Sequence, residues 1–80
     1  MVTLLYFAKV REAVGIGEER IDLPEGVATV ADLADWLQTR HPVFADRDRI
    51  RVAVDQVMAR FDSVIGDSRE IAFFPPVTGG

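Results

Sequence analysis

Apolar residues along the chain recur at two spacings, every second residue in some segments and every third or fourth in another. Val2 to Ala8 has the first: Val2, Leu4, Tyr6 and Ala8 share one face, and Thr3, Leu5, Phe7 and Lys9 the other. Both faces are largely apolar, which predicts a strand that is central or partly covered by a partner. Lys9 to Val14 then suits a short helix, with Gly15 placed to end it in the left-handed conformation. Glu18 to Leu23 alternates again, with Ile21 and Leu23 inward, and Pro24-Glu25-Gly26 supplies turn chemistry.

Thr29 to Arg40 carries the helical spacing. Val30, Leu33, Ala34 and Leu37 fall on one stripe, and Trp36 flanks it. Thr29 is placed as N-cap, with Asp32 in the first turn, where an acid complements the helix dipole. Pro42 disfavours helix at His41 and so ends the segment. After an irregular stretch, Ile50, Val52 and Val54 alternate with Arg51, Ala53 and Asp55 as a third strand. Val57 to Phe61 reads as a short fourth. Gly66-Asp67-Ser68 turns the chain into a last strand, Arg69 to Phe74, which Pro75 and Pro76 end because neither donates a ladder hydrogen bond. Four to five strands and one main helix predict an α+β roll.

Composition narrows the function. Eighty residues make a single domain, and 49% hydrophobic with 28% charged residues is the balance of a folded chain. The run Leu4 to Ala8 is too short for a signal core or a membrane span, so a cytoplasmic location is expected. The absence of cysteine excludes a disulfide framework, a thiolate nucleophile and a persulfide on this chain. A formal net charge of −4 argues against nucleic acid, which needs a basic face. Arg47, Arg49 and Arg51 cluster, but Asp46 and Asp48 interleave with them as in a solvated loop.

Side-chain catalysis finds few candidates. His41 stands at a helix end without ligand companions at metal spacing. Ser63 and Ser68 have no assignable base. Gly15-Ile16-Gly17 lacks the pattern of a phosphate loop, and Glu18-Glu19 and Asp32/Asp35 read as solvated charge. The C-terminus differs. A hydrophobic strand enters Pro75-Pro76, which stiffen an extended exit, and Val77, Thr78, Gly79 and Gly80 reach about 13 Å beyond. Glycine lets a terminal carboxylate pass a narrow channel. Residues 1–76 are therefore expected to be the folded domain and 77–80 a reactive tail.

Three segments together resemble a known family. Leu4 to Gly15, Val52-Ala53-Val54-Asp55-Gln56 and, above all, Ala72-Phe73-Phe74-Pro75-Pro76-Val77-Thr78-Gly79-Gly80 are similar to the small, sulfur-carrying subunits of molybdopterin synthase, the MoaD-type β-grasp (ubiquitin-like) proteins. Asp55 departs from the family, where many members carry Asn. The resemblance implies a chain that is not an enzyme on its own and binds no permanent cofactor. An E1-like adenylating enzyme of the MoeB type would use ATP to activate the Gly80 carboxylate. A sulfur donor protein would convert it to a thiocarboxylate. The tail, with Val77, Thr78 and Gly79, would insert into the MoaE-type large subunit and pass sulfur to cyclic pyranopterin monophosphate, giving the dithiolene of molybdopterin. The expected assembly is a heterotetramer of two small and two large subunits, with no nucleic acid and no membrane.

Phe73, Phe74, Pro75, Pro76, Leu5, Phe7 and Arg11 are the expected partner interface. Because Phe73 and Phe74 point to opposite faces, only one of them enters the core. Alternatives are a thiamine-pathway sulfur carrier, a ubiquitin-like protein modifier, and a binding module whose tail is idle.

Overall fold

The computed structural model describes residues 1–76. Strand β1 (Val2–Tyr6) leads into helix α1 (Ala8–Val14), strand β2 (Glu18–Ile21) and helix α2 (Val30–Gln38). Two turns of 3-10 helix, Pro42–Ala45 and Arg47–Arg49, connect to strands β3 (Arg51–Val54), β4 (Val57–Ala59) and β5 (Glu70–Phe74). The strands form one mixed sheet in the order β2-β1-β5-β3-β4. The first and last strands thus lie side by side near its middle, and they run parallel. All the other pairings are antiparallel.

The period-two pattern decides which way each strand faces. Val2, Leu4 and Tyr6 of β1, Val52 of β3, and Ile71 and Phe73 of β5 are buried. On α2, the buried residues are Val30, Leu33, Ala34 and Leu37, the stripe expected from their spacing. Helix α2 starts on a capping box: the Asp32 amide donates to Thr29 Oγ1 at 3.1 Å, and the Thr29 amide donates to Asp32 Oδ2 at 3.1 Å. Arg40 lies 4.3 Å over the Trp36 ring, so the half-buried indole closes the edge of the stripe.

Several details differ from the sequence reading. Ala8 does not continue the inward face of β1; it is exposed with φ +50° and turns the chain into α1. Helix α2 ends at Gln38 rather than Arg40, because Thr39 Oγ1 donates to the Trp36 carbonyl at 2.7 Å and the last turn tightens. The strand β2 ends at Ile21, and Leu23 lies half-buried beyond it. The irregular stretch after α2 is part of the core: Phe44 is fully buried and meets Phe73 edge-on at 5.0 Å, with Tyr6 6.2 Å from both. Phe44 stands in the short apolar run Pro42–Ala45, which carries neither the strand nor the helix period from which its burial could be read.

Candidate partner face and tail root

Residues that alternate with the core positions line the opposite face of the sheet. Strand registers assemble them into rows. Leu5 pairs with Ala72, Ala72 with Ala53, and Ala53 with Met58, so one apolar row crosses four strands. One step along, Phe74 pairs with Arg51. Phe7 follows the Tyr6–Phe73 pair, and its amide donates to the Phe73 carbonyl at 3.0 Å. Among the described residues no helix covers this face. Phe7 is 49% exposed and Met58 63%, while Leu5, Ala53, Ala72 and Phe74 are half-buried by their neighbours.

Leu5, Phe7 and Phe74 therefore belong together, as the sequence suggested. Phe73 does not join them. It is fully buried against Tyr6 and Phe44, so its expected place at the partner interface is corrected: the two-residue period that turns Phe74 out turns Phe73 in. Arg11 is exposed on α1, and its guanidinium folds over Gly17, where an added Cβ would stand 3.1 Å from Nε. Ala53, Ala72 and Met58 are missing from the sequence-based set. Alternation placed Ala53 outward, but only the strand register joins it to Met58 and Ala72.

The small residues at the middle of the row make a shallow floor between larger rims. Such a face favours apolar association, with Arg51, paired with Phe74, as a charged margin. Strand β5 ends at its edge. Pro75 and Pro76 are half-buried there and share a concavity of about 450 Å³ with Val10 and Ile50, with Lys9, Asp46 and Arg49 at its polar parts. The remaining expected site residues, Val77, Thr78, Gly79 and Gly80, lie outside the described residues.

The arginine cluster behaves as loop chemistry. Arg47 pairs with Asp35, Arg49 with Asp46 at 3.3 Å, and Arg51 Nη1 donates to the Asp48 and Ile50 carbonyls at 3.2 Å each. His41 precedes the first 3-10 turn, its ring 6.5 Å from that of Phe44. Among the described residues two titrating groups are shifted, Tyr6 and Asp32, both away from the outer face. Burial, reinforced by the hydrogen bond to Glu19 at 2.7 Å, pushes the Tyr6 phenol up. The backbone amides of Ala28 and Thr29 hold the Asp32 carboxyl below its ordinary value. Asp55, the departure from the resembled family, caps the sheet: its carboxylate accepts from the Arg69 and Glu70 amides at 2.9 and 3.0 Å. Among the described residues no helix is long and apolar enough to cross a membrane.

A family model described as the ThiS family matches residues 4–80. The chain belongs to that family. The Mycobacterium tuberculosis protein named molybdopterin synthase sulfur carrier subunit is 40% identical to it, over 99% of this chain and 96% of its own length. Small archaeal modifier protein 1 of Haloferax volcanii is 34% identical, over 92% of this chain and 94% of its own length. A solved structure titled as a putative molybdopterin converting factor, subunit 1, from Pyrococcus furiosus superposes with a TM-score of 0.77 at 34% identity, covering 95% of this chain and 97% of the other. The mixed five-stranded sheet with its helices is accordingly the β-grasp fold of these ThiS-family relatives.

Proposed function

We propose that the chain is the sulfur carrier subunit of a molybdopterin synthase and works through Gly80. The observation that carries this reading is the junction of an uncovered apolar sheet face with a Gly-Gly tail. Strand β5 contributes Ala72 and Phe74 to the face and then leads through Pro75-Pro76 into Val77 to Gly80. Full-length likeness to relatives bearing the carrier name supports it.

A carboxylate is unreactive toward nucleophiles at neutral pH. Attack of the Gly80 carboxylate on the α-phosphorus of ATP, at an E1-like enzyme of the MoeB type, releases pyrophosphate and forms an acyl-adenylate. A donor protein's persulfide sulfur then attacks the carbonyl carbon, the bond to the phosphate oxygen breaks, and AMP leaves. A thiol next attacks the donor-side sulfur of the resulting acyl disulfide, forming a disulfide with the donor and releasing the Gly80 thiocarboxylate. This route makes Gly80 the sulfur carrier in a chain without cysteine. The large subunit, of the MoaE type, docks on the outer face and receives the tail. There the thiocarboxylate passes its sulfur to cyclic pyranopterin monophosphate in a cytoplasmic heterotetramer. Acids and bases for that step belong to the partners, and the carrier keeps no cofactor of its own.

Intact mass tests the reading. The chain is incubated with an active adenylating enzyme, ATP and a sulfur source, beside a chain lacking Gly80. A gain equal to one oxygen-for-sulfur exchange, absent in the shortened chain, is the expected result. No change with an enzyme active on its own carrier would overturn it. Likeness to small archaeal modifier protein 1 favours a second reading, in which the tail forms isopeptide bonds with lysines of other proteins. A ladder of covalent adducts in cell extracts distinguishes that role from a recycled free carrier.

A further inference from the structure

Charge on the outer face is divided between its two ends. The strand registers set charged residues on either side of the apolar row Leu5–Ala72–Ala53–Met58. Toward the tail root stands Arg51, exposed and paired with Phe74. At the opposite end Glu70 pairs with Thr3, and the Asp55 carboxylate accepts from the Glu70 amide at 3.0 Å, so two acids stand together there. Arg20 lies beyond Thr3 on the edge strand β2, away from both acids. Among the described residues neither Arg51 nor these acids take part in an ion pair. One end of the face is therefore cationic and bulky, with Phe7 and Phe74, and the other is acidic and, at Thr3, small.

Such a face can pack on a second copy of itself in two symmetric ways. Stacked sheets keep their strands within about 30° of each other and lie about 10 Å apart. A two-fold axis along the strands lays β5 on its own copy in the same sense, so Glu70 meets Glu70. A two-fold axis across the strands, along the row from Leu5 to Met58, reverses them instead. Each strand keeps its place and its ends exchange. Arg51 of each copy then faces Asp55 of the other, with Glu70 on the neighbouring strand. Phe7 comes over Thr3, a large residue against a small one, and Ala53 and Ala72 meet their own copies, which lets the backbones approach. Glu18, where the row ends on β2, also meets its own copy, but at an exposed margin.

We propose that the outer face is the interface of a homodimer, in which a second copy of the chain packs with its strands reversed and Arg51 of each copy opposes Asp55 and Glu70 of the other. Removal of the apolar row from water supplies the affinity. Exposed ion pairs add little energy each, and here they decide between the two orientations. The same patch serves both copies, so assembly closes at two. Few of the side chains involved are large, which makes the dimer a weak one that forms at high concentration. Its consequence rests on the carrier reading: a partner that docks on the outer face must first displace the second copy. The dimer itself does not depend on that reading.

The test needs no partner protein. Sedimentation equilibrium of the full chain between about 10 μM and about 1 mM should show a mass that rises from monomer toward dimer and no further. Arg51→Glu and Glu70→Lys should each weaken the dimer by about 10-fold alone, and an equimolar mixture of the two should regain the native constant. In the mixture the two substituted positions face each other, and so do the two native ones, so every pair is again of opposite charge. Amide chemical shifts of the native chain, followed on dilution, should move at Leu5, Phe7, Ala53, Met58, Ala72 and Phe74 and stay fixed on α2. Should either variant unfold, these shifts alone decide. A native chain that stays monomeric at about 1 mM, species larger than a dimer, or shifts that move on α2 instead would overturn the inference. So would either folded variant that associates as the native chain does, or a mixture no tighter than its components. A monomeric chain leaves the thiocarboxylate assay untouched, and a failed assay leaves the dimer untouched.

Discussion

The two faces of the central sheet are built from the same strands yet do opposite things. Phe73 and Phe74 are neighbours in β5 and chemically identical, but one is sealed against Tyr6 and Phe44 and the other borders open solvent. The inner face is covered by α2 and the Phe44 segment and supplies stability. Among the described residues no helix lies on the outer face, where the apolar row Leu5–Ala72–Ala53–Met58 crosses four strands. Apolar character alone therefore does not separate core from interface. What separates them is whether the chain has an element left to lay on top.

Exchanging the two phenylalanines for alanine breaks this comparison most directly. Phe73→Ala leaves a cavity in the aromatic cluster and should cost about 3–5 kcal/mol in urea unfolding, enough to populate the unfolded state. Phe74→Ala should unfold within about 1 kcal/mol of the parent. Its loss should appear in calorimetric titration with the large subunit, at about 2 kcal/mol or more. Equal stability losses for both would refute the division into faces.

Met58→Ala sharpens the outer face, since only strand register brings Met58 to it. Affinity for the large subunit should fall by about 1 kcal/mol with no change in urea midpoint; unchanged affinity would confine the docking surface to β1 and β5. On the inner side, Thr29→Ala removes a cap from the covering helix and should cost about 1 kcal/mol of stability with partner affinity preserved. Asp32 gives the same contact a pH signature. Its folded carboxyl titrates below its unfolded value, so the stabilisation is full above about pH 3.9 and fades as pH falls through the lowered folded value. Asp32→Asn should flatten that acid limb in thermal melts, whereas Thr29→Ala, which keeps both backbone amides, should largely retain it.

The smallest effect concerns the turn that joins the outer-face strands. Asp55 and Gln56 have φ of +50° and +70° between the paired residues Val54 and Val57, the conformation of a two-residue hairpin that prefers glycine second. Gln56→Gly should stabilise by about 0.5–1 kcal/mol in urea unfolding. A loss instead would show that the Gln56 side chain holds the hairpin.

Much of this arrangement was legible before any coordinates. Alternation in Val2 to Tyr6 and in Ile50 to Val54, the stripe Val30–Leu33–Ala34–Leu37, the Thr29 cap and the Gly15 stop all rest on contacts a few residues apart, which local sequence encodes. The outward placement of one of Phe73 and Phe74 followed from the strand period, but its direction did not. That choice depends on which side of the sheet receives α2, a property of the assembled layers. Phe44 was unreadable for a related reason, because the short apolar run Pro42–Ala45 has neither period and Phe44 is buried only by meeting Tyr6 and Phe73 across the fold.

The linear order of residues was enough for the strand and helix periods, the α+β class and the presence of a single lysine. These follow from local geometry and from chemical inventory. The parallel pairing of β1 with β5, the row reaching Met58, the burial of Phe73 and the placing of Lys9 beside the tail root came with three-dimensional packing. Each depends on residues far apart in the chain meeting at one register, and a one-residue slip would turn every one of those side chains to the other face.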